Sequence, residues 1–106
     1  MRCPLTRHLS VGLVNLRTLK PVDRDCLVAV ARSCRLLVVV EDHFKTGGLY
    51  CILAETLLEA GVTAETLCLS LPDRWFKPAL YPALLEHEGY TPEALAHKVL
   101  ARLERL

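Results

Sequence analysis

Residues 38–48 read VVVEDHFKTGG, and this stretch decides how the chain is expected to fold. Its valines close a continuous apolar run, LLVVVE at 36–41, which is typical of a parallel strand covered on both faces. Glu41-Asp42-His43 ends that run, and Gly47-Gly48 then permits a tight turn into a helix. The stretch therefore predicts a strand followed by a helix. Its polar strand end is either a ligand site or only the point where the chain emerges into water.

The same alternation of strand and helix continues through the rest of the chain. Asp23 is a suitable N-cap, Gly61 suits a left-handed helix end, and Thr91-Pro92 suits a helix start. The pattern predicts strands at 10–16, 36–41 and 66–71, and helices at 24–34, 48–60, 79–87 and 92–105. Consecutive strands joined by helices are parallel, with right-handed crossovers. We therefore expect residues 1–106 to form one α/β domain, a three-layer α/β/α arrangement around a mostly parallel sheet.

Composition limits the class of protein. The 106 residues suffice for one modest core, and a net charge of +1 gives no overall attraction to nucleic acid or to an anionic membrane. No apolar run approaches the ~20 residues that span a bilayer, and the first ten residues lack the apolar stretch of a signal peptide. The five cysteines are odd in number and include no C-x-x-C pair, which favours small buried thiols over disulfides or a zinc site. We expect a cytoplasmic protein.

Polar residues gather where the predicted strands end, and parallel strands end at one edge of a sheet. An anionic ligand bound there would meet cationic side chains and the free amides at the start of the second helix. The candidate ligand-binding residues of this edge, here called the strand-end rim, are Arg17, Asp42, His43, Gly47, Gly48 and Arg74. Lys20 and Asp73 lie at the same strand ends. Ordinary solvated polarity explains the same residues equally well.

Other patterns leave alternatives open. A lone Gly-Gly pair more often permits close helix packing than it binds an anion, and no complete phosphate-loop motif is present. Cys51 follows His43 by eight residues, so a Cys–His nucleophile pair stays open. The stretch RWFKPALYP at 74–82 mixes cations with aromatics. Nucleic-acid stacking is one interpretation. A loop anchored by Trp75 and Phe76 against the core or a partner is the favoured one.

Four motifs in order resemble the C-terminal domain of transketolase-type, thiamine diphosphate-dependent enzymes. This group includes transketolase, 1-deoxyxylulose-5-phosphate synthase and the β subunits of 2-oxoacid dehydrogenases. The motifs are R-T-L-K-P-x-D from Arg17, V-V-V-E-D-H from Val38, G-G-L from Gly47 and L-P-D-R from Leu71. The resemblance extends from about residue 10 to the C-terminus.

The resemblance implies a domain that helps to build a dimer and binds no cofactor by itself. In such enzymes two other domains hold thiamine diphosphate and Mg²⁺, so the expected partners are those domains, or a subunit that carries them, in a homo- or hetero-oligomer. Catalysis by this chain alone is not expected, and neither nucleic acid nor membrane is an expected partner. The alternative function is a stand-alone, non-catalytic interaction or regulatory module that keeps only the fold.

The chain also departs from the family pattern. Tyr50-Cys51 stands where the family usually has a glycine and a small or acidic residue, and Trp75-Phe76-Lys77-Pro78 replaces the usual F-G after P-D-R. The family domain has two further strands ahead of 10–16, and the second of them lies between the strands equivalent to 10–16 and 36–41. We therefore expect a domain truncated at its N-terminus. Either these two strands pair directly, or another chain fills the gap, or the chain is a fragment.

Overall fold

The computed structural model describes residues 9–106. Its elements are α1 Arg24–Ser33, β1 Leu37–Phe44, α2 Leu49–Ala60, β2 Thr66–Leu71, α3 Tyr81–His87 and α4 Pro92–Glu104. The first and last residues of each of these elements lie within three residues of the predicted ends. The first eight residues, which include Cys3 and most of the stretch judged to lack a signal peptide, lie outside the described residues.

The predicted helix ends are confirmed by their capping contacts. The Asp23 side chain accepts a hydrogen bond from the Cys26 amide at 3.0 Å, and Thr91 accepts one from Ala94 at 3.3 Å. Gly61 adopts the left-handed conformation, with φ of 67°, as a residue without Cβ does at little cost. These contacts satisfy backbone groups that helix ends leave without partners.

The sheet of the described residues has two parallel strands, β1 and β2, paired in register from Leu37–Thr66 to Val40–Leu69. Side chains of a strand alternate between faces, so Val39 and Leu69 point to opposite sides. Helices α1 and α2 pack on the Val39 face, and α4 contacts β2. The buried core on the α1–α2 face consists of Leu27, Ala31, Val39, Leu53 and Leu57. The α/β prediction is confirmed.

The predicted strand at 10–16 is not formed. This segment has neither helical nor strand structure, and Val11 and Leu13 are exposed, while Leu16 packs against the core. A strand exists only when its backbone pairs with a neighbour, and no strand within residues 9–106 pairs with this segment. Direct pairing of 10–16 with β1, one of the arrangements considered above, is therefore not what the chain adopts.

The outer edge of β1 is open within the described part of the chain, because β2 pairs with one side only. Val40, in the middle of this apolar strand, is 52% exposed. A valine run that ought to lie inside a sheet therefore lies at its edge.

Four cysteines of the described chain are free thiols. No helix within residues 9–106 is both long enough and apolar enough to cross a membrane.

Candidate functional site

The Glu41 carboxylate lies at the first turn of α2, where it accepts hydrogen bonds from two backbone amides. Its two oxygens are 2.9 Å from the Leu49 nitrogen and 3.0 Å from the Tyr50 nitrogen. The N-cap residue, Gly48, has no side chain to do this. A carboxylate at this position also interacts favourably with the positive end of the helix dipole. The start of α2 therefore holds an anion that the chain itself supplies.

An irregularity in β1 accompanies this contact. Val40 pairs with Leu69 and Phe44 with Leu71, so three residues of β1 lie opposite the single Ser70 of β2. Such bulges redirect side chains and disrupt the ladder locally. The bulge spans residues 41–43, the polar triplet Glu41-Asp42-His43 that follows the valine run. Its first member, Glu41, is the residue that contacts α2.

Gly48 makes the approach of Glu41 possible. A Cβ built on Gly48 would lie 2.1 Å from Glu41 Oε1 and 2.9 Å from the carbonyl oxygen of Phe44. Real Cβ atoms essentially never come this close to another heavy atom. Close approach of the carboxylate to the helix therefore requires glycine at this position, which is one of the two functions considered for the Gly-Gly pair.

Tyr90 connects the bulge to the C-terminal part of the chain. Its hydroxyl donates to the Glu41 carbonyl oxygen at 2.6 Å, with the Leu69 carbonyl 3.5 Å away. Burial raises the pKa of the Tyr90 phenol above its ordinary value of 10.0, and the charges of Asp42 and Glu41 act in the same direction. The protonated hydroxyl thus provides a partner for a carbonyl in the irregular part of the strand.

Arg74 is ion-paired rather than free. Its guanidinium donates to both carboxylate oxygens of Glu88, whose side chain is almost completely buried, and also lies over the Phe76 ring at 5.2 Å. Phe76 stacks on Phe44, with ring centroids 6.4 Å apart and planes 12° apart. This cluster ties the end of β2 to the end of β1. An incoming anion at Arg74 would therefore compete with Glu88.

The other predicted rim residues lie apart from this cluster. Arg17 is exposed on the irregular segment before α1, and Asp42 is exposed on the bulge. The His43 Nδ1 lies 2.7 Å from the Phe44 carbonyl oxygen. Among residues 9–106, no hydrogen bond or ion pair joins Arg17, Asp42, His43 or Arg74 to one another. Anion binding by these residues stays a prediction.

A cleft of about 350 Å³ does lie at this edge of the sheet. It is lined by Lys45, Thr46, Cys68, Ser70, Leu71, Pro72 and Asp73. Lys45 and Asp73 carry opposite charges, so the lining does not select strongly for an anion. The Lys45 ammonium also lies 5.3 Å from the centre of the Tyr50 ring. The cleft is open to solvent and its lining mixes polar and apolar surface, so it lacks the enclosure of a typical small-molecule site.

The contacts of Cys51 and His43 do not form a nucleophile pair. Cys51 Sγ accepts from the Gly47 amide at 3.1 Å and donates to the Lys45 carbonyl at 3.4 Å. A nucleophile and its base need a direct hydrogen bond. Here both hydrogen bonds of the thiol are to the backbone of the turn before α2, so this cysteine stabilises that turn.

Sequence reasoning missed the roles of Glu41, Glu88 and Tyr90. One signal was available: a helix that starts at glycine, without Ser, Thr, Asp or Asn before it, needs its first amides satisfied from elsewhere. The acidic residue that ends the preceding strand was the nearest acceptor in sequence. Glu88 and Tyr90 carried no comparable signal, because their partners are remote in sequence.

The chain is similar to known proteins over most of its length. Residues 5–95 match the family described as transketolase, C-terminal domain. The chain is 41% identical over 93 residues to a 1-deoxy-D-xylulose-5-phosphate synthase of Thermus thermophilus, covering 88% of this chain and 15% of that protein. It is 36% identical over 97 residues to the enzyme of the same name from Thermomicrobium roseum, covering 92% and 15%. For the Wolinella succinogenes protein of that name the identity is 34% over 102 residues, covering 96% and 16%. The chain thus spans about 15% of the length of these relatives.

Proposed function

Because the chain belongs to the transketolase C-terminal domain family, we propose that it is the assembly domain of a transketolase-type, thiamine diphosphate-dependent transferase in the cytoplasm. In this proposal residues 1–106 form one domain that supports oligomerisation and docks onto the polypeptide that binds the cofactor. The whole enzyme, and not this chain alone, transfers a ketol or aldehyde unit.

The observation that carries the proposal is the open edge of β1. Leu37 donates its amide to Glu65 on the β2 side, and alternation directs the N–H and C=O groups of Val38 and Val40 to the other edge. No strand within residues 9–106 pairs with that edge. Unpaired backbone on an apolar strand invites pairing with another strand. The open edge of β1 can therefore pair with a strand of another chain.

The exposed segment at 10–16 supports the same proposal. Val11 and Leu13 are exposed although the segment is apolar. In this proposal, a strand of another chain pairs with the open edge of β1, and its side chains cover Val40. A domain of this size has a free energy of unfolding of order 5–10 kcal/mol. The backbone hydrogen bonds formed by such strand pairing would therefore add substantially to its stability.

Thiamine diphosphate and Mg²⁺ belong to the other domains in this proposal, because the described residues do not fit either group. Glu41 engages the amides at the start of α2 that a diphosphate would use. Glu88 engages Arg74. Within residues 9–106, no three His, Cys, Asp or Glu side chains come together to hold a metal ion.

The proposal is tested by purifying the tagged chain from its source cells and identifying the associated polypeptides by mass spectrometry. We expect a stoichiometric partner that binds thiamine diphosphate, together with transketolase-type activity that requires both polypeptides. Calorimetric titration of the isolated chain with thiamine diphosphate should show no micromolar binding. Stoichiometric cofactor binding by the chain alone would contradict the proposal, and so would recovery without any cofactor-binding partner.

A further inference from the structure

The segment from the end of β2 to the first residue of α3 exposes three large side chains. Trp75 is 98% exposed, Leu80 82% and Tyr81 64%. These three residues are here called the Trp75 surface. A tryptophan side chain contributes on the order of 200 Å². The three residues lie within seven positions of one another in sequence, and large apolar side chains exposed in one region mark interaction sites more often than scattered ones do.

The Trp75 surface is presented by a segment whose neighbours are fixed. Phe76 stacks on Phe44, and Arg74, on the other side of Trp75, pairs with the buried carboxylate of Glu88. The segment ends where α3 begins, at Tyr81. The Trp75 side chain is therefore exposed to solvent, while the side chains of its two sequence neighbours, Arg74 and Phe76, are fixed by their contacts. Presentation of a side chain by a held segment lowers the entropy lost when a partner covers it.

The charge of this segment favours a polypeptide partner over a membrane. Lys77 is the single charged residue between Trp75 and Tyr81, and the whole chain has a net charge of +1. Stable attachment to an anionic bilayer uses clusters of several cations. Tryptophan and tyrosine are instead enriched at the centres of protein interfaces, where an apolar ring is buried and its N–H or O–H finds an acceptor.

We infer that the Trp75 surface docks onto the cofactor-binding polypeptide of the same enzyme. The inference rests on the proposed function and assigns it a second contact, separate in sequence from the β1 edge. The relatives extend far beyond the part that matches this chain, which covers about 15% of their length. That remaining polypeptide is the occupant. A receiving surface complementary to these side chains would offer an apolar pocket for the indole ring, an acceptor for its N–H and an acidic group for Lys77.

Photo-crosslinking tests the inference in the assembly isolated from source cells. The full chain is produced with p-benzoylphenylalanine in place of Trp75, and cross-linked peptides are identified by mass spectrometry. In parallel, Trp75→Ala and Trp75→Phe are compared with Leu58→Ala. Leu58 is an 83% exposed leucine on α2 and serves as the matched control. We expect cross-links to the cofactor-binding polypeptide. Affinity should fall at least tenfold for Trp75→Ala, fall less for Trp75→Phe and stay unchanged for Leu58→Ala. Equal unfolding midpoints by circular dichroism exclude a folding effect.

Cross-links that reach only a second copy of this chain, only lipid, or nothing would overturn the inference. An affinity for Trp75→Ala equal to that of the parent chain would overturn it as well. If the cofactor-binding polypeptide still co-purifies in those cases, the proposed function stands and only the Trp75 contact is wrong. If no such polypeptide co-purifies with the parent chain, the proposed function itself fails.

Discussion

Removal of the Glu41 carboxylate is expected to destabilise the chain, because this group satisfies two amides at the start of α2. Hydrogen bonds to a charged group contribute about 1.5–3 kcal/mol each. The two amides are only partly buried and regain water after the substitution, so the loss lies nearer to that of a strong N-cap, up to about 2 kcal/mol. With the added loss of the interaction between the carboxylate and the helix dipole, we expect Glu41→Ala to lower the free energy of unfolding by about 2–3 kcal/mol.

Urea unfolding at one fixed protein concentration measures this loss. Far-ultraviolet circular dichroism is the suitable signal, because Trp75, the only tryptophan, is almost fully exposed in the folded state. A loss of this size moves the urea midpoint by roughly 1–2 M for a small domain. Glu41→Gln keeps one carbonyl oxygen but presents an NH₂ group to the second amide, so about half of the loss is expected.

The control is the neighbouring Asp42→Ala, which removes an equal charge from an exposed position. Exposed substitutions of this kind change stability by about 0.5 kcal/mol or less. If Glu41→Ala costs no more than Asp42→Ala, the carboxylate does not cap α2 in solution. The amides at the start of α2 would then be open to an external anion.

Three further predictions use the same contacts. Gly48→Ala should lower the urea midpoint through its clash with the Glu41 carboxylate, and it should cost measurably less when made in Glu41→Ala; equal costs in both backgrounds would refute the close approach. Tyr90→Phe should cost about 1 kcal/mol. The parent should also lose stability faster than Tyr90→Phe as pH rises past 10, because the unfolded phenol releases its proton before the folded one; identical pH profiles would contradict this. If phosphate binds the strand-end rim, Arg17→Ala combined with Arg74→Ala should weaken binding at least tenfold by calorimetry, and an unchanged affinity would place the site elsewhere.

Much of the fold could be predicted because its signals are local. Gly61, Thr91 and Asp23 each sit next to the helix end they define, and a capping residue acts on amides within one turn. The apolar run at 36–41 predicted a strand covered on both faces; β1 formed there, but Val39 is its one buried residue and Val40 is exposed. These elements depend on residues close together in the chain, so their patterns survive without knowledge of the tertiary structure.

The errors came from features that depend on remote partners. The segment 10–16 has the composition of a strand, but a strand needs a neighbour, and the described chain provides none for it. The contact of Glu41 with α2 accompanies a β-bulge, and no residue type in this stretch predicts that bulge. Trp75 and Phe76 were expected to anchor the same loop, yet Phe76 packs on Phe44 while Trp75 does not pack against the core. Anchoring of Trp75 on a partner remains a prediction.

Amide hydrogen exchange at the β1 edge tests the central claim most directly. Exchange of the Val38 and Val40 amides, which alternation directs to the open edge, is compared between the isolated chain and the assembly purified from source cells. The Val39 amide, which is directed toward β2 in both states, is the internal reference. We predict that Val38 and Val40 exchange at least tenfold more slowly in the assembly, relative to Val39. Equal relative rates in the two states would show that no strand pairs with this edge, and the chain would not be the assembly domain proposed here.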